Sequence, residues 1–287
     1  MEENEIQLFD KPITEVIRAR RSIRAYKKQP LPLDIRNKLE QYFSRLRGPF
    51  HANIRFSLID KAMGGHANAK LGTYGVIRGA STFIVPAVEK SDHFLVELGY
   101  ELEKLILYAA SLDLGTCWLG GTFKKGEFAK AAGLKENEML PVVSPVGFTD
   151  ENGSFVDSLM RMAAGSKHRK GWGELFFNQS LNRPLSEAET GTYSVPLEML
   201  RLAPSASNKQ PWRIVKEDGI YHLYLQRTRE YGRALGYDIQ KIDMGIAICH
   251  FDLTAKESGL DGGWHVQDPG LKNMPDGMEY VISWVER

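Results

Sequence analysis

The chain has 287 residues, of which 43% are hydrophobic and 25% are charged, as in globular proteins and unlike disordered or collagen-like chains. Its 37 basic and 36 acidic residues leave a formal net charge of +1, so bulk charge predicts no nucleic-acid partner. The two cysteines, Cys117 and Cys249, form no CxxC pair, and the seven histidines lack the spacing of a metal-binding helix. We therefore predict neither a disulfide framework nor a metal site.

The first residues, MEENEIQLFDKPI, show neither the basic nor the apolar region of a secretory signal. No segment approaches the roughly 18 uninterrupted apolar residues of a membrane helix. We therefore expect a soluble, cytoplasmic protein with no membrane partner.

Hydrophobic periodicity predicts alternating helices and strands in the first part of the chain. Helices are predicted at about 13–20 and 35–46, and strands at about 54–58, 81–88 and 140–148. Between the last two strands an apolar residue recurs every three or four positions, which predicts a long helix that starts at Phe94 and ends before Gly115.

A polar stretch at 165–173 separates this part from the second. There we predict a short helix at about 196–202, a long helix from Ile239 to Ser258, and a last strand at 280–285. The Asp218-Gly219 dipeptide lies between two strand-like runs and predicts a hairpin, because the tight turn needs positive φ at both positions. Strands and helices interspersed in this way indicate an α+β fold.

An internal similarity indicates a duplication. The segment from Glu97 aligns without gaps on the segment from Asp243, 146 residues later, and Gly99 and Trp118 fall on Gly245 and Trp264. Two amphipathic helices can look alike by chance, but the matched glycine and tryptophan favour a true duplication. The sequence then predicts two pseudo-symmetric halves, 1–173 and 174–287, packed together as a homodimer would be.

Two polar clusters are candidates for a binding site. RARRSIR, residues 18–24, could gather guanidinium groups and the Ser22 hydroxyl around an anion, although a solvated basic helix end has the same composition. APSASNKQPW, residues 203–212, combines small residues with polar groups of Ser205, Ser207, Asn208 and Gln210, although an ordinary loop does so too.

Together these clusters resemble the nitroreductase superfamily of FMN-dependent oxidoreductases. RRSIR resembles its first flavin motif, APSASNKQPWRIV its second, and LDLGTCWLGG, residues 112–121, the segment after its central helix. The resemblance implies a three-layer α/β/α fold with a mixed sheet. In ordinary members the two flavin motifs lie close together in one subunit, and the second contacts the flavin of the neighbouring subunit, whereas here about 180 residues separate them.

The resemblance therefore implies the single-chain branch, a fused pseudo-dimer in which each half retains what the other lost. The first half has LEQYFSRLRGPF where the second motif is expected, and the second half has no RRSIR. One FMN would bind at the internal interface, and a monomer would suffice to hold it.

Twelve cofactor-binding residues are implied in four groups. The FMN phosphate, ribityl chain and pyrimidine edge would meet Arg20, Arg21, Ser22 and Arg24. The ring and ribityl chain would be lined from the other half by Pro204, Ser205, Ala206 and Asn208. Main-chain amides would approach the flavin at Gly120 and Gly121, which also suit a plain turn. A later basic pair for the phosphate would be Lys167 and Arg169, for which a solvated loop is the alternative.

We make further predictions for the side chains of Tyr74, Trp118 and Arg20. Tyr74 and Trp118 are aromatic candidates near the pocket, although a core role is favoured for Trp118 because of its match to Trp264. Arg20 lies outside the periodic apolar faces, so we expect its removal to weaken FMN binding while leaving the apo fold unchanged.

The implied activity is a ping-pong exchange in which NADH or NADPH reduces FMN and leaves, and a nitroaromatic or quinone acceptor then takes its place. No catalytic acid, base or nucleophile is assigned, because hydride is exchanged at the flavin. No GxGxxG follows a predicted strand, so no separate nicotinamide-binding domain is expected. Another flavin reaction, such as flavin reduction or reductive dehalogenation, and a non-enzymatic flavin-binding role both remain open.

Overall fold

The computed structural model describes residues 5–61, 71–151 and 168–287. The α-helices of these ranges are Ile13–Ala19 (α1), Leu33–Arg45 (α2), Phe94–Ser111 (α3), Lys125–Ala131 (α4), Trp172–Leu175 (α5), Ser194–Arg201 (α6) and Ile239–Glu257 (α7). Short 3-10 helices are Glu5–Leu8, Glu187–Tyr193, Ala206–Asn208 and Arg233–Leu235. Within these ranges, no helix is long and apolar enough to span a bilayer.

Two sheets are built from eleven strands of the described ranges. The strands are Ile54–Asp60 (β1), Thr82–Glu89 (β2), Gly115–Thr116 (β3), Glu138–Met139 (β4), Ser144–Gly147 (β5), Phe176–Asn178 (β6), Ser180–Pro184 (β7), Trp212–Glu217 (β8), Ile220–Gln226 (β9), Gly262–His265 (β10) and Met278–Glu286 (β11). The first sheet has the order β1-β2-β5-β3, with β4 beside β2. The second has the order β10-β11-β9-β8-β6-β7 and is mixed, because β6 runs parallel to β8. The α+β class is thereby confirmed.

The two sheets share one topology. β3-β5-β2-β1 in the first corresponds to β10-β11-β9-β8 in the second, and every neighbouring pair in both series is antiparallel. α3 connects β2 to β3, and α7 connects β9 to β10 in the same way. α2 precedes β1 as α6 precedes β8. The sequence similarity between the α3 and α7 segments therefore extends to the order and direction of the strands around them.

α3 and α7 pack against each other through two glycines. A β-carbon on Gly99 would lie 2.1 Å from the carbonyl oxygen of Ile242, and one on Gly245 would lie 1.9 Å from the carbonyl oxygen of Val96. Because neither glycine has a side chain, the two backbones can approach this closely. The pair of glycines matched in the sequence thus meets at a single helix crossing.

The hydrophobic core surrounds this crossing. Side chains of both long helices join those on the inner faces of the two sheets, such as Ile84 of β2 and Leu223 of β9. A second cluster covers the other face of β2, where Phe83 packs edge-on against Phe128 of α4. The first sheet is therefore enclosed between helices on both faces, in the three-layer arrangement that the resemblance implies.

Most of the predicted elements are confirmed, with two differences at their ends. The hairpin turns at Asp218 (φ 43°) and Gly219 (φ 79°), as the dipeptide predicts. The helix from Phe94 ends at Ser111, and the left-handed residue after it is Asp113 (φ 60°), so Gly115 already belongs to β3. The strand predicted at 140–148 is confined to β5, because the residues before it form only an isolated bridge.

Candidate functional site

A cavity of about 900 Å³ lies between the N-terminal part of the chain, residues 5–151, and the C-terminal part, residues 168–287. This volume falls within the usual range of small-molecule sites. The N-terminal part contributes the segment after α1 and residues 117–122. The C-terminal part contributes the loop at 202–208 and one face of α7, formed by Ile239, Ile242, Asp243 and Ile246.

Eleven of the twelve predicted cofactor-binding residues line this one cavity: Arg20, Arg21, Ser22, Arg24, Gly120, Gly121, Arg169, Pro204, Ser205, Ala206 and Asn208. The twelfth, Lys167, lies outside the described residues. Trp118 also lines the cavity, whereas Tyr74 is 67% exposed and is not among the lining residues. The structure thus brings the two distant motifs together, and their contacts with FMN remain a prediction.

The RRSIR segment is held beside β3 by its backbone. α1 ends at Ala19, and the Arg20 amide donates to the Val16 carbonyl oxygen as a helix cap. Ser22 then pairs with Thr116 in a parallel bridge, and the Ile23 amide donates to the Thr116 carbonyl oxygen at 2.8 Å. The buried Ile23 side chain anchors the segment in the core, so the polar residues around it line the cavity.

Arg20 corrects the expectation that its side chain plays no part in the apo fold. The side chain is only 9% exposed, and its Nε lies 3.8 Å from Oε1 of the fully buried Glu103. Glu103 also lies 2.9 Å from His250 Nε2 and accepts a hydrogen bond from Trp118 Nε1 at 2.7 Å. Arg20 is therefore part of a buried charge cluster between α1, α3 and α7, because it follows α1 at the point where these helices meet.

Arg169 ties the loop at 203–210 to the segment before α5. It donates to Asn208 Oδ1 at 2.6 Å and to the Leu202 carbonyl oxygen at 2.8 Å, and Asn208 Nδ2 donates to the His168 carbonyl oxygen at 2.7 Å. Burial, together with the charges of Arg20 and Arg201, lowers the pKa of Arg169 to about 10, so the guanidinium stays charged at neutral pH. Arg169 and the arginines of RRSIR give the cavity a local excess of positive charge that suits an anionic ligand.

The loop at 205–210 adopts an uncommon backbone conformation. Ser207, Asn208 and Gln210 have φ of 46°, 54° and 48°, in the left-handed region that residues other than glycine rarely adopt. Hydrogen bonds hold it there, including one from the Gln210 amide to Ser205 Oγ at 2.9 Å and one from Tyr231 Oη to Ser207 Oγ at 2.9 Å. Backbone strain of this kind is often concentrated at ligand-binding loops.

Asp243 of α7 is a lining residue that the motifs did not indicate. Its side chain is buried, and its Oδ1 accepts a hydrogen bond from the Ala206 amide at 2.9 Å, while its Oδ2 has no hydrogen-bond partner among the described residues. Burial raises the pKa of this carboxyl well above its ordinary value. One sequence feature could have indicated Asp243 as a candidate. In the internal similarity it aligns with Glu97, so an acid occupies the same position of each long helix.

The segment at 227–238 covers the cavity beside the two glycines. Tyr237 Oη lies 2.8 Å from the Gly120 carbonyl oxygen and 2.7 Å from that of Pro141, and Tyr231 and Leu235 line the cavity. The matching connection in the N-terminal part, between β2 and α3, spans only residues 90–93. Sequence periodicity missed these contacts because they arise in an irregular segment.

Within the described residues, no group of three or more His, Cys, Asp or Glu side chains could hold a metal ion. The cavity lining instead combines cations, small residues and an apolar wall. This donor set favours an organic anion over a metal ion.

The chain is similar to known proteins of one family. Residues 12–255 match the family described as "Putative TM nitroreductase". A solved structure described as a putative nitroreductase from Thermotoga maritima MSB8 is 19% identical, covers 96% of this chain and 94% of its own, and superposes with a TM-score of 0.61. A nitroreductase with bound FMN from Bacteroides fragilis NCTC 9343 is 22% identical, with 50% of this chain and 91% of that chain covered, at a TM-score of 0.41. No curated protein matches the chain.

The chain thus has a nitroreductase-like fold. Since the family match spans most of its length, the chain belongs to the nitroreductase family described above.

Proposed function

We propose that the protein is an FMN-dependent NAD(P)H oxidoreductase that reduces nitroaromatic or quinone acceptors, with one FMN per chain. The observation that carries this proposal is the meeting of RRSIR and the loop at 203–208, about 180 residues apart in the sequence, around one cavity. The chain would consist of two pseudo-symmetric halves, 1–173 and 174–287. The matching strand orders support this division, because β1 to β5 form one sheet and β6 to β11 the other.

The residues present fit FMN. Arg20 Nε and Nη1 are buried without a hydrogen-bond partner among the described residues, so donors remain for an anionic or carbonyl oxygen. The isoleucines of α7 and Leu119 supply an apolar wall of the kind that packs on a planar ring. The strained loop at 205–208 presents small residues that permit close approach.

Bound FMN would supply the ring that accepts and gives hydride. The side chains of this chain would bind and orient the cofactor: the arginines would neutralise its phosphate and stabilise negative charge at its pyrimidine edge. Gly120 and Gly121 would let main-chain amides approach the ring, and nicotinamide and the acceptor would bind in turn in the same cavity. No side chain of this chain is assigned as acid, base or nucleophile in that exchange.

An asymmetry between the two parts supports the proposal of a single FMN site. In the N-terminal part, the carboxylate of Glu97 accepts hydrogen bonds from the amides of Gly48 and Phe50, each at 2.9 Å. A β-carbon on Gly48 would lie 2.7 Å from Glu97 Oε2, so the loop after α2 is closed down on the helix. In the C-terminal part the matching loop stands over the cavity. The loop after α2 is thus packed against its long helix, whereas the loop at 203–208 lines the cavity.

Flavin stoichiometry tests the proposal. The purified chain should show a flavin spectrum with close to one FMN per polypeptide, and light scattering should find flavin in the monomer fraction. Close to two FMN per chain, or flavin held only by a dimer, would contradict the pseudo-dimer. Absence of any FMN affinity would contradict the function as a whole.

Asn208→Leu extends the test to the second motif. It removes the polar group that binds Arg169 and faces the cavity, so FMN affinity should fall by roughly one to two orders of magnitude, since leaving buried polar groups unpaired costs about 1–3 kcal/mol. Ser44→Leu, an exposed position in the LEQYFSRLRGPF segment, should leave affinity unchanged. Equal affinities of both variants and the unaltered protein would show that the loop is merely structural.

Turnover distinguishes an enzyme from a flavin-binding protein. NADH or NADPH should bleach the bound flavin under anaerobic conditions, and a nitroaromatic or a quinone should restore its colour. Flavin that neither nucleotide reduces would contradict the oxidoreductase proposal. A panel that also includes free flavins and halogenated phenols would identify the class of acceptor.

A further inference from the structure

Asp243 occupies an unusual position for an acidic residue. It is the acid among the described residues that line the cavity, and its buried carboxyl group forms no ion pair there. Its Oδ1 accepts a hydrogen bond from the Ala206 amide, and its Oδ2 is buried without a hydrogen-bond partner among the described residues. A buried polar atom without a partner is rare in folded proteins, and here the residue that carries it lines the cavity proposed to bind FMN.

The matching residue of the N-terminal part shows what a purely structural acid does at this position. Glu97 lies 146 residues earlier, at the same position in its long helix, and both of its oxygens accept amide hydrogen bonds from the adjacent loop. Asp243 has one such bond and leaves the second oxygen free. The two equivalent acids therefore differ by one hydrogen bond, and the acid with fewer hydrogen bonds, Asp243, is the one that lines the cavity.

We propose that Asp243 binds FMN directly, donating a hydrogen bond from Oδ2, as a neutral carboxylic acid, to an acceptor atom of the cofactor. This inference rests on the proposed function. The cofactor is the occupant because Asp243 is hydrogen-bonded to Ala206, which lies in the loop that the second flavin motif forms.

The surroundings of Asp243 favour the neutral acid. Among the described residues no lysine or arginine forms an ion pair with Asp243, and the charge of Asp238, at the start of the same helix, further disfavours its ionisation. The neighbouring loop contributes the Ala206 amide, and Tyr237 precedes the helix as an uncharged phenol. A buried carboxyl without a cation holds its proton, and Oδ2 is then a donor.

Four proteins test the proposal: the unaltered chain, Asp243→Asn, Asp243→Leu and Glu97→Gln. FMN affinity is measured by fluorescence quenching, and apo stability by urea unfolding. Asparagine keeps an acceptor for the Ala206 amide and a donor at the other position, so Asp243→Asn should bind FMN within about threefold of the unaltered protein. Asp243→Leu should bind at least tenfold more weakly, about 1.4 kcal/mol. Glu97→Gln should lose apo stability with FMN affinity unchanged.

Infrared difference spectra of apo and FMN-loaded protein separate binding from a structural role. The carbonyl stretch of a protonated carboxyl group should shift when FMN binds, and that signal should be missing in Asp243→Asn. Absence of the shift, or unchanged FMN affinity in Asp243→Leu, would overturn the proposal. If the unaltered chain itself binds no FMN, the proposed function fails first, so the two failures are distinguishable.

Discussion

Replacing Gly245 by alanine tests how closely the two long helices approach. The added β-carbon would lie 1.9 Å from the Val96 carbonyl oxygen and 2.6 Å from the Tyr100 amide nitrogen. Non-bonded carbon and oxygen atoms do not approach within about 3 Å, so α3 and α7 must move apart by roughly 1 Å. Both contacts are with backbone atoms, so no side-chain rotation relieves them.

The expected loss in the free energy of unfolding of Gly245→Ala is the difference between two opposing effects. Alanine in place of glycine in a helix interior stabilises by about 0.5–1 kcal/mol through backbone entropy. Overpacking of a core usually costs about 1–3 kcal/mol, and displacement of two central helices lies at or beyond the upper end of that range. We expect a net loss of about 2 kcal/mol or more, equivalent to about 4–8 °C in the melting temperature.

Urea unfolding of the apo protein measures this loss, and Gly126→Ala is the matched control. Gly126 lies in α4, and a β-carbon there would meet nothing within 4 Å, so that variant should be slightly more stable than the unaltered protein. FMN affinity should also fall in Gly245→Ala, because α7 and the N-terminal part face each other across the cavity. Equal stability of Gly245→Ala and the unaltered protein would refute the close crossing.

Arg20→Ala should weaken FMN binding ten- to a hundredfold and lower apo stability by about 1–3 kcal/mol, because it removes a buried cation beside Glu103. FMN titration and apo urea melts measure the two effects, and unchanged values of both would contradict this role. Burial and the neighbouring Glu97 carboxyl raise the pKa of Glu101 to about 8. The folded protein therefore keeps a proton that the unfolded chain releases above about pH 4.3, and the free energy of unfolding falls from about pH 4.5 to pH 8. Glu101→Gln should reduce that fall, and an unchanged slope in pH-dependent unfolding would contradict the assignment.

The sequence by itself determined the elements whose signals are local. The helix from Phe94 follows from its three- and four-residue apolar spacing, and the hairpin follows from Asp218-Gly219, because helix faces and tight turns depend on residues close in the chain. Short strands such as β3 and β6 carry no period and were not predicted. Their existence depends on a neighbouring strand to pair with, which no local pattern records.

Most residues of the candidate site could also be predicted from the sequence. The family motifs indicated eleven residues that the fold brings around one cavity, although a motif states only which residue types are present. The matched glycines, Gly99 and Gly245, supported a duplication, and only the structure shows that they lie where the two helices pack closely. A glycine inside a regular helix has little local advantage, and the close packing explains its presence.

Only the tertiary structure decided which hydrogen bonds and ion pairs the site residues form. Arg20 is an exposed basic residue by sequence spacing and a buried one in the fold, because Glu103, at a remote position in the chain, lies beside it. Asp243 and Glu97 are equivalent by alignment, yet Oδ2 of Asp243 has no hydrogen-bond partner among the described residues, because the loop at 203–208 is folded differently from the loop after α2. Such differences arise from contacts between segments far apart in the chain, and the free energy of a buried charge depends on those contacts rather than on its neighbours in the sequence.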